Sequence, residues 1–280
     1  MEPEISVITV CRNAEKVIAE TMASVLAQVY SNYEYIFVDG ASADDTLPVI
    51  QSRLPQFTDR GIPVRVVSEP DRGIYDAMNK GIRLARGKWV LMLNAGDTLA
   101  DPLVLEDLFG RGAASGDVLY GDAWFRDFHR GRPVYKPFPA MPLARIDEGL
   151  PFCHQSAFVR RSILVRYPFE TRFSISADYD QLLRAWLDGA AFCHAPRVVA
   201  VFDCTGLCLR RPEKTMAQCA RIRKYRGYHP KRNLLGQAAR YGKGLLRGTV
   251  KAKLPEVFYS PERGWITSLP RDAAGRVILP

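Results

Sequence analysis

The 280-residue sequence contains no run of eighteen apolar residues, and no charged start is followed by a short apolar core. These absences predict neither a membrane-spanning helix nor a secretory signal peptide, so we expect a cytoplasmic protein. None of the six cysteines forms a Cys-x-x-Cys pair, and all of them lie in or beside apolar runs. Free buried thiols are therefore expected rather than disulfides, and the Cys/His spacing fits no structural zinc site.

Two common phosphate-binding motifs are also missing. No Gly-x-Gly-x-x-Gly follows the first predicted strand, and Gly-x-x-x-x-Gly-Lys-[Ser/Thr] occurs nowhere. The sequence therefore gives no support for a Rossmann-type dinucleotide site or for a P-loop phosphate site. The hydrophobic content of 47% and the charged content of 25% are those of an ordinary soluble protein. A chain of this length can bury a sizeable core, as one large domain or one domain with an appendage.

The net charge of +9 is distributed unevenly along the chain. Residues 210–253 contain fourteen Lys or Arg and one acid, Glu213, so this segment alone carries +13. The other residues together are slightly acidic. A basic segment joined to a near-neutral body favours an anionic partner, which could be membrane lipid, a phosphorylated acceptor or nucleic acid.

Strands and helices alternate in the first hundred residues. Apolar runs predict strands over 5–10, 35–38, 64–67 and 88–93, and amphipathic helices are expected between them. Asn13 is the expected N-cap of the first helix. Four strands alternating with three helices predict a parallel, doubly wound sheet. The run over 90–93 has no polar alternation, which is typical of a central strand covered on both faces.

In the second half of the chain, predicted strands and helices alternate less regularly. Its predicted elements are a strand over 117–125, a polar excursion or hairpin over 127–136, an irregular loop over 137–151, a strand over 154–159, a helix opening at Ala177 and a strand over 198–202. Two basic helices are expected over 212–226 and 233–250. The second has an apolar stripe, so it either lies on an anionic membrane surface or packs on its own domain.

Acids follow several predicted strands, at the point where each strand ends. Asp39 ends the second strand, Asp71 and Arg72 follow the third, and Asp97 follows the fourth. Parallel strands bring these ends to one edge of the sheet, where ligands of open α/β sheets bind. Asp97 could instead cap the next helix. Carboxylates repel a diphosphate, so they could bind one only through a divalent cation. The simplest hypothesis is therefore a divalent cation that lies between Asp97 and a diphosphate.

Four segments together resemble a known family. They are Ile8-Thr9-Val10 with Arg12-Asn13, Val38-Asp39-Gly40-Ala41-Ser42 with Asp44, the block Glu69-Pro70-Asp71-Arg72-Gly73-Ile74-Tyr75-Asp76-Ala77-Met78-Asn79-Lys80-Gly81, and Leu93-Asn94-Ala95-Gly96-Asp97. The chain resembles the inverting family 2 glycosyltransferases of the GT-A fold, in particular bacterial exopolysaccharide and colanic-acid types. The resemblance covers about 5–208, and the block over 69–81 is its most specific part.

This resemblance implies an α/β fold with a doubly wound, mostly parallel sheet flanked by helices. It implies a GT-A domain over 1–208, with a nucleotide-sugar half over about 1–124 and an acceptor half over about 125–208. The basic helical C-terminal extension would occupy 209–280. The implied activity is transfer of a sugar from a nucleotide-sugar, most consistently a UDP-sugar, to a glycan or lipid-linked acceptor with inversion. The alternatives are a sugar nucleotidyltransferase and a non-catalytic basic module that binds nucleic acid or anionic glycan.

The resemblance also implies roles for particular residues. Asp97 would bind Mg²⁺ or Mn²⁺ as the last acid of the DxD-type element, and Asp178 would be the catalytic base. His154 and Gln155 would line the donor-sugar and acceptor side of the cleft. The residues implied in nucleotide binding are Thr9, Asn13, Asp39, Arg72 and Asn94. No nucleic acid partner is expected for such an enzyme, and its basic tail would rest on the inner face of the membrane.

Several positions depart from the family pattern or admit a simpler interpretation. Gly40 and Asn94 stand where members often carry acids, so metal binding without nucleotide should be weak. Ala177 stands where members usually have an acid just before the base, so Asp180 remains a second candidate for the catalytic base beside Asp178. Asp178 could also be only an N-cap, Arg72 a solvated turn residue and His154 a structural histidine.

Overall fold

The computed structural model describes residues 2–110, 112, 114–204, 212–228 and 264–280. The strands in these ranges are β1 (Ile5–Cys11), β2 (Tyr33–Asp39), β3 (Val64–Ser68), β4 (Trp89–Met92), β5 (Thr98–Leu99), β6 (Val118–His129), β7 (Arg132–Phe138), β8 (Ala157–Arg160) and β9 (Phe192–Asp203). The α-helices are α1 (Ile18–Leu26), α2 (Thr46–Thr58), α3 (Ile74–Leu84), α4 (Val104–Phe109), α5 (Arg161–Arg166), α6 (Ala177–Leu187) and α7 (Pro212–Tyr225). Short 3₁₀ helices cover Leu143–Asp147 and His154–Ser156.

The strands form one sheet in the order β3-β2-β1-β4-β8-β6-β9-β5, with β7 paired to the distal part of β6. The pairs among the first four strands are all parallel, as predicted. Strand β8 runs antiparallel to both β4 and β6, whereas β6 and β9 are parallel. The predicted α/β class with a doubly wound sheet and flanking helices is confirmed, and mixed pairing begins beyond β4.

Both faces of the central strands are buried. In β1, Val7 belongs to the core cluster on the side of α1, α2 and α4, whereas Ile8 belongs to the cluster on the side of α3 and α6. Successive side chains of a strand point to opposite faces, so both faces need apolar residues. This is why the sequence of the central strands shows continuous apolar runs rather than alternation.

Two local predictions are wrong. Helix α1 begins at Ile18 rather than after Asn13, which has a left-handed φ of 51°. The Asn13 side-chain oxygen accepts a hydrogen bond from the Ala43 N–H (2.9 Å), so it binds the neighbouring loop instead of capping the helix. His154 lies in a 3₁₀ helix rather than a strand, because the Ser156 hydroxyl bonds the Cys153 carbonyl (2.8 Å) and holds the turn.

The C-terminal part of the chain returns to the sheet. Residues 264–280 pack on it with Trp265 and Val277 buried. The Val277 N–H donates to Asp101 Oδ2 (2.7 Å), and Trp124 Nε1 donates to the Ile278 carbonyl (3.2 Å). Helix α7 agrees with the first predicted basic helix, whereas the second, over 233–250, lies outside the described residues.

None of the described helices combines the length and the apolar character that a membrane crossing requires.

Candidate active site

A cavity of about 450 Å³ opens beyond the carboxyl end of β4. Its walls come from the loop after β4, the 3₁₀ helix His154–Ser156, the first turns of α3 and α6, the middle of β6 and the ends of β7 and β9. The predicted site residues that line it are Asn94, Asp97, His154, Gln155 and Asp178. Predicted site residues from three distant parts of the sequence therefore line one cavity.

Asp97 is a buried carboxylic acid in the wall of this cavity. It is 3% exposed, and its Oδ1 accepts a hydrogen bond from the Asp203 N–H (2.8 Å). The pKa of Asp97 is raised to about 8, chiefly by burial and also by the Asp203 carboxylate, whereas the hydrogen bond from the Asp203 N–H and the Arg126 guanidinium both lower it. A carboxylate in such surroundings is stabilised by a bound cation, because the positive charge offsets the cost of desolvation.

Asp203 is a second cavity acid, which the sequence reasoning missed. It ends β9 opposite Arg126 of β6, and Arg126 Nη2 lies 3.4 Å from Asp203 Oδ2. Arg126 also donates to the Gly96 carbonyl (2.8 Å) and pairs with Glu20. Asp203 carries the same signal as Asp39, an acid directly after an apolar run, so the sequence contained a pointer to it.

Asn94 presents an amide oxygen in this cavity. Its Oδ1 is buried and has no hydrogen-bond partner among the residues that the structure describes. Carboxylate and amide oxygens are ligands that Mg²⁺ and Mn²⁺ accept. Within the ranges that the structure describes, no group of three His, Cys, Asp or Glu side chains could hold a metal ion. The oxygens of Asn94 and Asp97 therefore fit a cation that takes further ligands from a diphosphate and water.

Asp178 lies in the first turn of α6. The N-cap position of that helix belongs to Ser176, so the N-cap interpretation of Asp178 is wrong. The Tyr75 hydroxyl lies 3.2 Å from Asp178 Oδ1 and also contacts the Ile175 carbonyl. His154 is buried nearby: burial lowers its pKa, and the negative charge of Asp178 partly opposes that shift. A carboxylate held by a phenol beside a neutral imidazole can accept a proton from a ligand in the cavity.

Asp180, the other acid considered for this role, is part of a buried ion-pair network. It is completely buried, and its two oxygens accept hydrogen bonds from Arg226 Nε (2.7 Å) and Arg226 Nη2 (2.8 Å). Arg184 Nε lies 3.1 Å from Asp180 Oδ2. Asp180 does not line the cavity. Its carboxylate holds α6 in place, which leaves Asp178 as the acid that faces the cavity.

Asp39 and Asn13 lie together at the ends of β2 and β1. Asp39 is completely buried and accepts hydrogen bonds from the Ser42 N–H (3.0 Å) and the Ser68 hydroxyl (2.6 Å). The Asn13 N–H donates to the Ser42 hydroxyl (2.8 Å). The Ala95 N–H donates to the Val10 carbonyl (3.3 Å), so this cluster lies beside the Asn94 loop, although its residues do not line the cavity.

Gly40 stands where family members often carry a second acid. A Cβ at this position would lie 2.2 Å from Asp71 Oδ2, so no side chain fits without displacing Asp71. The other oxygen of Asp71 accepts a hydrogen bond from the Gly73 N–H (2.9 Å). The Asp71 carboxylate therefore occupies the space that a residue-40 side chain would need.

Like Asn13 and Asp39, the predicted nucleotide-binding residues Thr9 and Arg72 do not line the cavity. The Thr9 side chain is completely buried, and its hydroxyl donates to the Leu93 carbonyl (2.7 Å) and lies 2.9 Å from the Tyr35 hydroxyl. Arg72 has an 84% exposed side chain, and its guanidinium lies 3.5 Å from Asp76. The Thr9 hydroxyl is thus used inside the sheet, and Arg72 occupies a solvated turn.

One wall of the cavity is aromatic. Phe125 stacks on Phe138 with ring centroids 4.3 Å apart, and Phe202 lies 5.6 Å from Phe125. All three line the cavity together with Phe152. They come from neighbouring strands whose alternating pattern gives no sign of a ligand, so sequence reasoning missed them.

The chain is similar to known proteins in sequence and in fold. Residues 6–167, more than half of the chain, match the family described as glycosyl transferase family 2. The chain is 32% identical over 200 residues to a PGL/p-HBAD biosynthesis glycosyltransferase of Mycobacterium bovis. The aligned region covers 70% of this chain and 75% of the relative.

Two solved structures share the fold. The mannosyltransferase PcManGT from Pyrobaculum calidifontis, in complex with GDP-Man and Mn²⁺, matches with a TM-score of 0.63 and 17% identity over 92% of this chain and 78% of that chain. S. aureus TarS 1-349 in complex with UDP-GlcNAc matches with a TM-score of 0.57 and 17% identity over 91% and 77%. The sequence match over residues 6–167 and the shared GT-A fold lead to one conclusion: the chain belongs to glycosyl transferase family 2.

Proposed function

We propose that the protein transfers a sugar from a nucleotide-sugar donor, with UDP as the expected carrier, to a hydroxyl of a glycan or lipid-linked acceptor with inversion. The observation that carries this proposal is the placement of Asp97 and Asp178 in the walls of one cavity. The first is suited to the diphosphate of a donor and the second to the hydroxyl of an acceptor. Structures with the same fold bind UDP-GlcNAc and GDP-Man.

Asp178 is the proposed base. Its carboxylate removes the acceptor hydroxyl proton while the acceptor oxygen bonds to the anomeric carbon and the bond from that carbon to the diphosphate breaks. The products are an inverted glycoside, a nucleoside diphosphate and a protonated Asp178. A general base contributes about 10²–10⁴-fold to such a step. Tyr75 would hold the attacking geometry, because its hydroxyl lies 3.2 Å from Asp178 Oδ1.

Asp97, with Asn94 beside it, is the proposed holder of a divalent cation, Mg²⁺ or Mn²⁺. When bound, such a cation supplies Lewis-acid stabilisation of the negative charge on the leaving diphosphate. The unpaired buried oxygen of Asn94 and the raised pKa of Asp97 support this assignment. The solved mannosyltransferase complex contains Mn²⁺ in the same fold.

Asn13, Asp39 and Arg72 remain our candidates for contacts with the nucleotide. Support comes from their position at the ends of β1 and β2 and after β3, on the edge where β4 delivers Asn94. Because the Arg72 side chain is exposed, its ion pair with Asp76 is a weak surface pair that can be exchanged for a contact with a bound nucleotide. Thr9 could contribute only through its backbone, because its hydroxyl is engaged in the core.

The aromatic wall supports an acceptor with an apolar portion. Phe125, Phe138 and Phe202 offer no hydrogen bonds to sugar hydroxyls, and they gain from covering apolar surface. Among the proposed acceptors this favours the lipid-linked class. The relative from Mycobacterium bovis is named for PGL/p-HBAD biosynthesis. The basic segment over 210–253 would hold the enzyme against an anionic membrane surface.

The two alternative functions predict different products and a different use of the cavity. A sugar nucleotidyltransferase would release pyrophosphate rather than a nucleoside diphosphate. A non-catalytic basic module would have no use for a cavity that contains Asp97 and Asp178. The family match covers residues 6–167, which include Asp97, and does not favour either alternative.

The test measures nucleoside diphosphate release from UDP-, GDP- and dTDP-sugars, with and without Mn²⁺. Wild type is compared with Asp97→Asn and Asp178→Asn, and Asp59→Asn serves as a control because Asp59 is an exposed acid away from the cavity. We expect metal-dependent release from one donor, lost in the two cavity variants and retained in the control. Pyrophosphate release, or equal activity in all four proteins, would overturn the proposal.

A further inference from the structure

Helix α7 opens the basic part of the chain and packs directly on the catalytic domain. Its Cys219 and Ile222 side chains are buried in the same core cluster as Leu182 and Leu183 of α6. This packing brings the preceding residue, Gln218, next to the loop that leads into α6. The helix is therefore in a position to influence the residues around Asp178.

Gln218 binds that loop at two consecutive peptide groups. Its side-chain oxygen accepts hydrogen bonds from the Ile175 N–H (3.0 Å) and the Ser176 N–H (2.8 Å), and its Nε2 lies 3.5 Å from the Ser174 hydroxyl. Ser174 and Ile175 line the cavity, and Ser176 is the N-cap residue of α6. One amide thus holds the backbone two and three residues before Asp178.

The same loop is held from the opposite direction. The Tyr75 hydroxyl contacts the Ile175 carbonyl and lies 3.2 Å from Asp178 Oδ1. Ile175 is therefore bound through its N–H by α7 and through its carbonyl by α3. A shift of Ile175 would alter the placement of the hydroxyl that Asp178 contacts, because the same Tyr75 oxygen serves both partners.

A second anchor follows Asp178 in the chain. Arg226, just beyond α7, forms a two-bond ion pair with the buried Asp180 (2.7 and 2.8 Å) and lies 3.2 Å from Glu170. The α7 region thus contacts α6 before and after the proposed base. A buried carboxylate paired in this way keeps the two helices in a fixed relation.

We infer that α7 belongs to the catalytic apparatus and that Gln218 is a positioning residue, which places Asp178 in the cavity by fixing the backbone of residues 175 and 176. This inference rests on the proposed role of Asp178 as the base. Gln218 itself does not line the cavity. Its effect on catalysis comes from geometry, to which proton transfer is sensitive.

The test compares Gln218→Leu, which removes both hydrogen bonds, with Gln218→Glu, which retains a side-chain oxygen as acceptor. Gln51→Leu is the matched control, because Gln51 is exposed on α2. The readouts are kcat and KM for donor turnover, binding of the nucleoside diphosphate, and the thermal midpoint. We expect Gln218→Leu to lower kcat by about 10- to 100-fold with little change in donor KM, and Gln218→Glu to recover most of the loss.

The outcomes separate this inference from the proposed function. If Gln218→Leu keeps full kcat while Asp178→Asn is inactive, Gln218 has no positioning role and the proposed base stands. If Gln218→Leu loses activity only in proportion to its folded fraction, or Gln218→Glu gives no recovery, the role is structural and the inference is wrong. If Asp178→Asn turns over donor like wild type, the proposed function itself fails.

Discussion

The N–H of Asp203 donates a hydrogen bond to Oδ1 of Asp97 over 2.8 Å, and the two residues are 106 positions apart in the chain. This bond joins the end of β9 to the loop after β4, so that two buried acids share one wall of the cavity. Arg126 lies against Asp203 and balances part of their charge. Two desolvated acids that repel each other are unfavourable, and they lie where a cation and a diphosphate are proposed to bind.

Asp97→Asn should abolish donor turnover and yet stabilise the fold at neutral pH. Because the folded pKa of Asp97 is raised above its ordinary value of 3.8 to about 8, its stabilising contribution is complete below pH 3.8 and declines as the pH rises to about 8. The unfolding free energy of Asp97→Asn should therefore exceed that of wild type, and the difference should grow by on the order of 2–4 kcal/mol between pH 5 and pH 8. Urea unfolding with a chelator present measures this, and a pH-independent difference would contradict it.

Mn²⁺ should bind weakly to the protein alone and more tightly when UDP is present. The oxygens of Asn94 and Asp97 cannot complete a coordination shell, whereas a diphosphate supplies the missing ligands. We expect UDP to raise the Mn²⁺ affinity by about tenfold or more. Electron paramagnetic resonance of free Mn²⁺ gives both affinities. Equal affinities would mean that the protein alone holds the metal.

Asp178→Asn and Asp180→Asn should fail in different ways. Asp180→Asn leaves Arg226 and Arg184 without their buried carboxylate and should cost about 3–5 kcal/mol of unfolding free energy. Asp178→Asn should keep the thermal midpoint and lower kcat by about 10²–10⁴-fold. Thermal denaturation and donor turnover on both variants separate the two roles. A fully active Asp178→Asn, or an unaltered midpoint for Asp180→Asn, would reverse this assignment.

Stability should decrease in mild acid through His154. Burial lowers the folded pKa of this histidine below 6.5, so the unfolded chain takes up a proton first as the pH falls. The stabilising contribution is present above pH 6.5 and is lost as the pH falls through the folded pKa. Unfolding free energies at pH 7 and pH 5 should differ less in His154→Gln than in wild type. An equal pH dependence in both proteins would argue against a neutral buried imidazole.

Deleting residues 233–253 should release the protein from anionic vesicles without abolishing donor turnover. Five of the basic residues lie in this stretch, and their attraction to acidic lipid falls with added salt. Vesicle sedimentation with and without phosphatidylserine, at two salt concentrations, tests the expectation. If the deletion variant binds the vesicles as well as wild type does, the proposed membrane role of this segment is wrong.

The first four strands and the strand-end acids could be predicted because their signals are local. Apolar runs such as 90–93 require burial on both faces, and an acid within a few residues of the end of such a run lies near the sheet edge. Asn13 was placed in the wrong local structure because its hydrogen bond is tertiary, and His154 because a local side-chain hydrogen bond forms a turn just before β8. The first binds Ala43 on another loop, and the second lies in a turn closed by Ser156.

Other parts of the site could not be predicted from one sequence. Asp203 meets Asp97 only because β6 and β9 pair in the observed register, and periodicity does not determine which strands pair. Gln218 gives no local signal, because a helical glutamine beside a core position is common. Its importance depends on the two peptide groups that α7 happens to approach.

The return of residues 264–280 to the sheet has a consequence for biosynthesis. Val277 completes a core cluster to which β1 and α1 also contribute, and the Arg276 guanidinium lies 2.8 Å from Asp107 Oδ2. A ribosome delivers the N-terminal strands first, at about 5–20 residues per second. The nascent catalytic domain must therefore wait several seconds with this apolar surface uncovered. During that interval a chaperone that binds exposed apolar chain would find its target here, beside strands that have already paired.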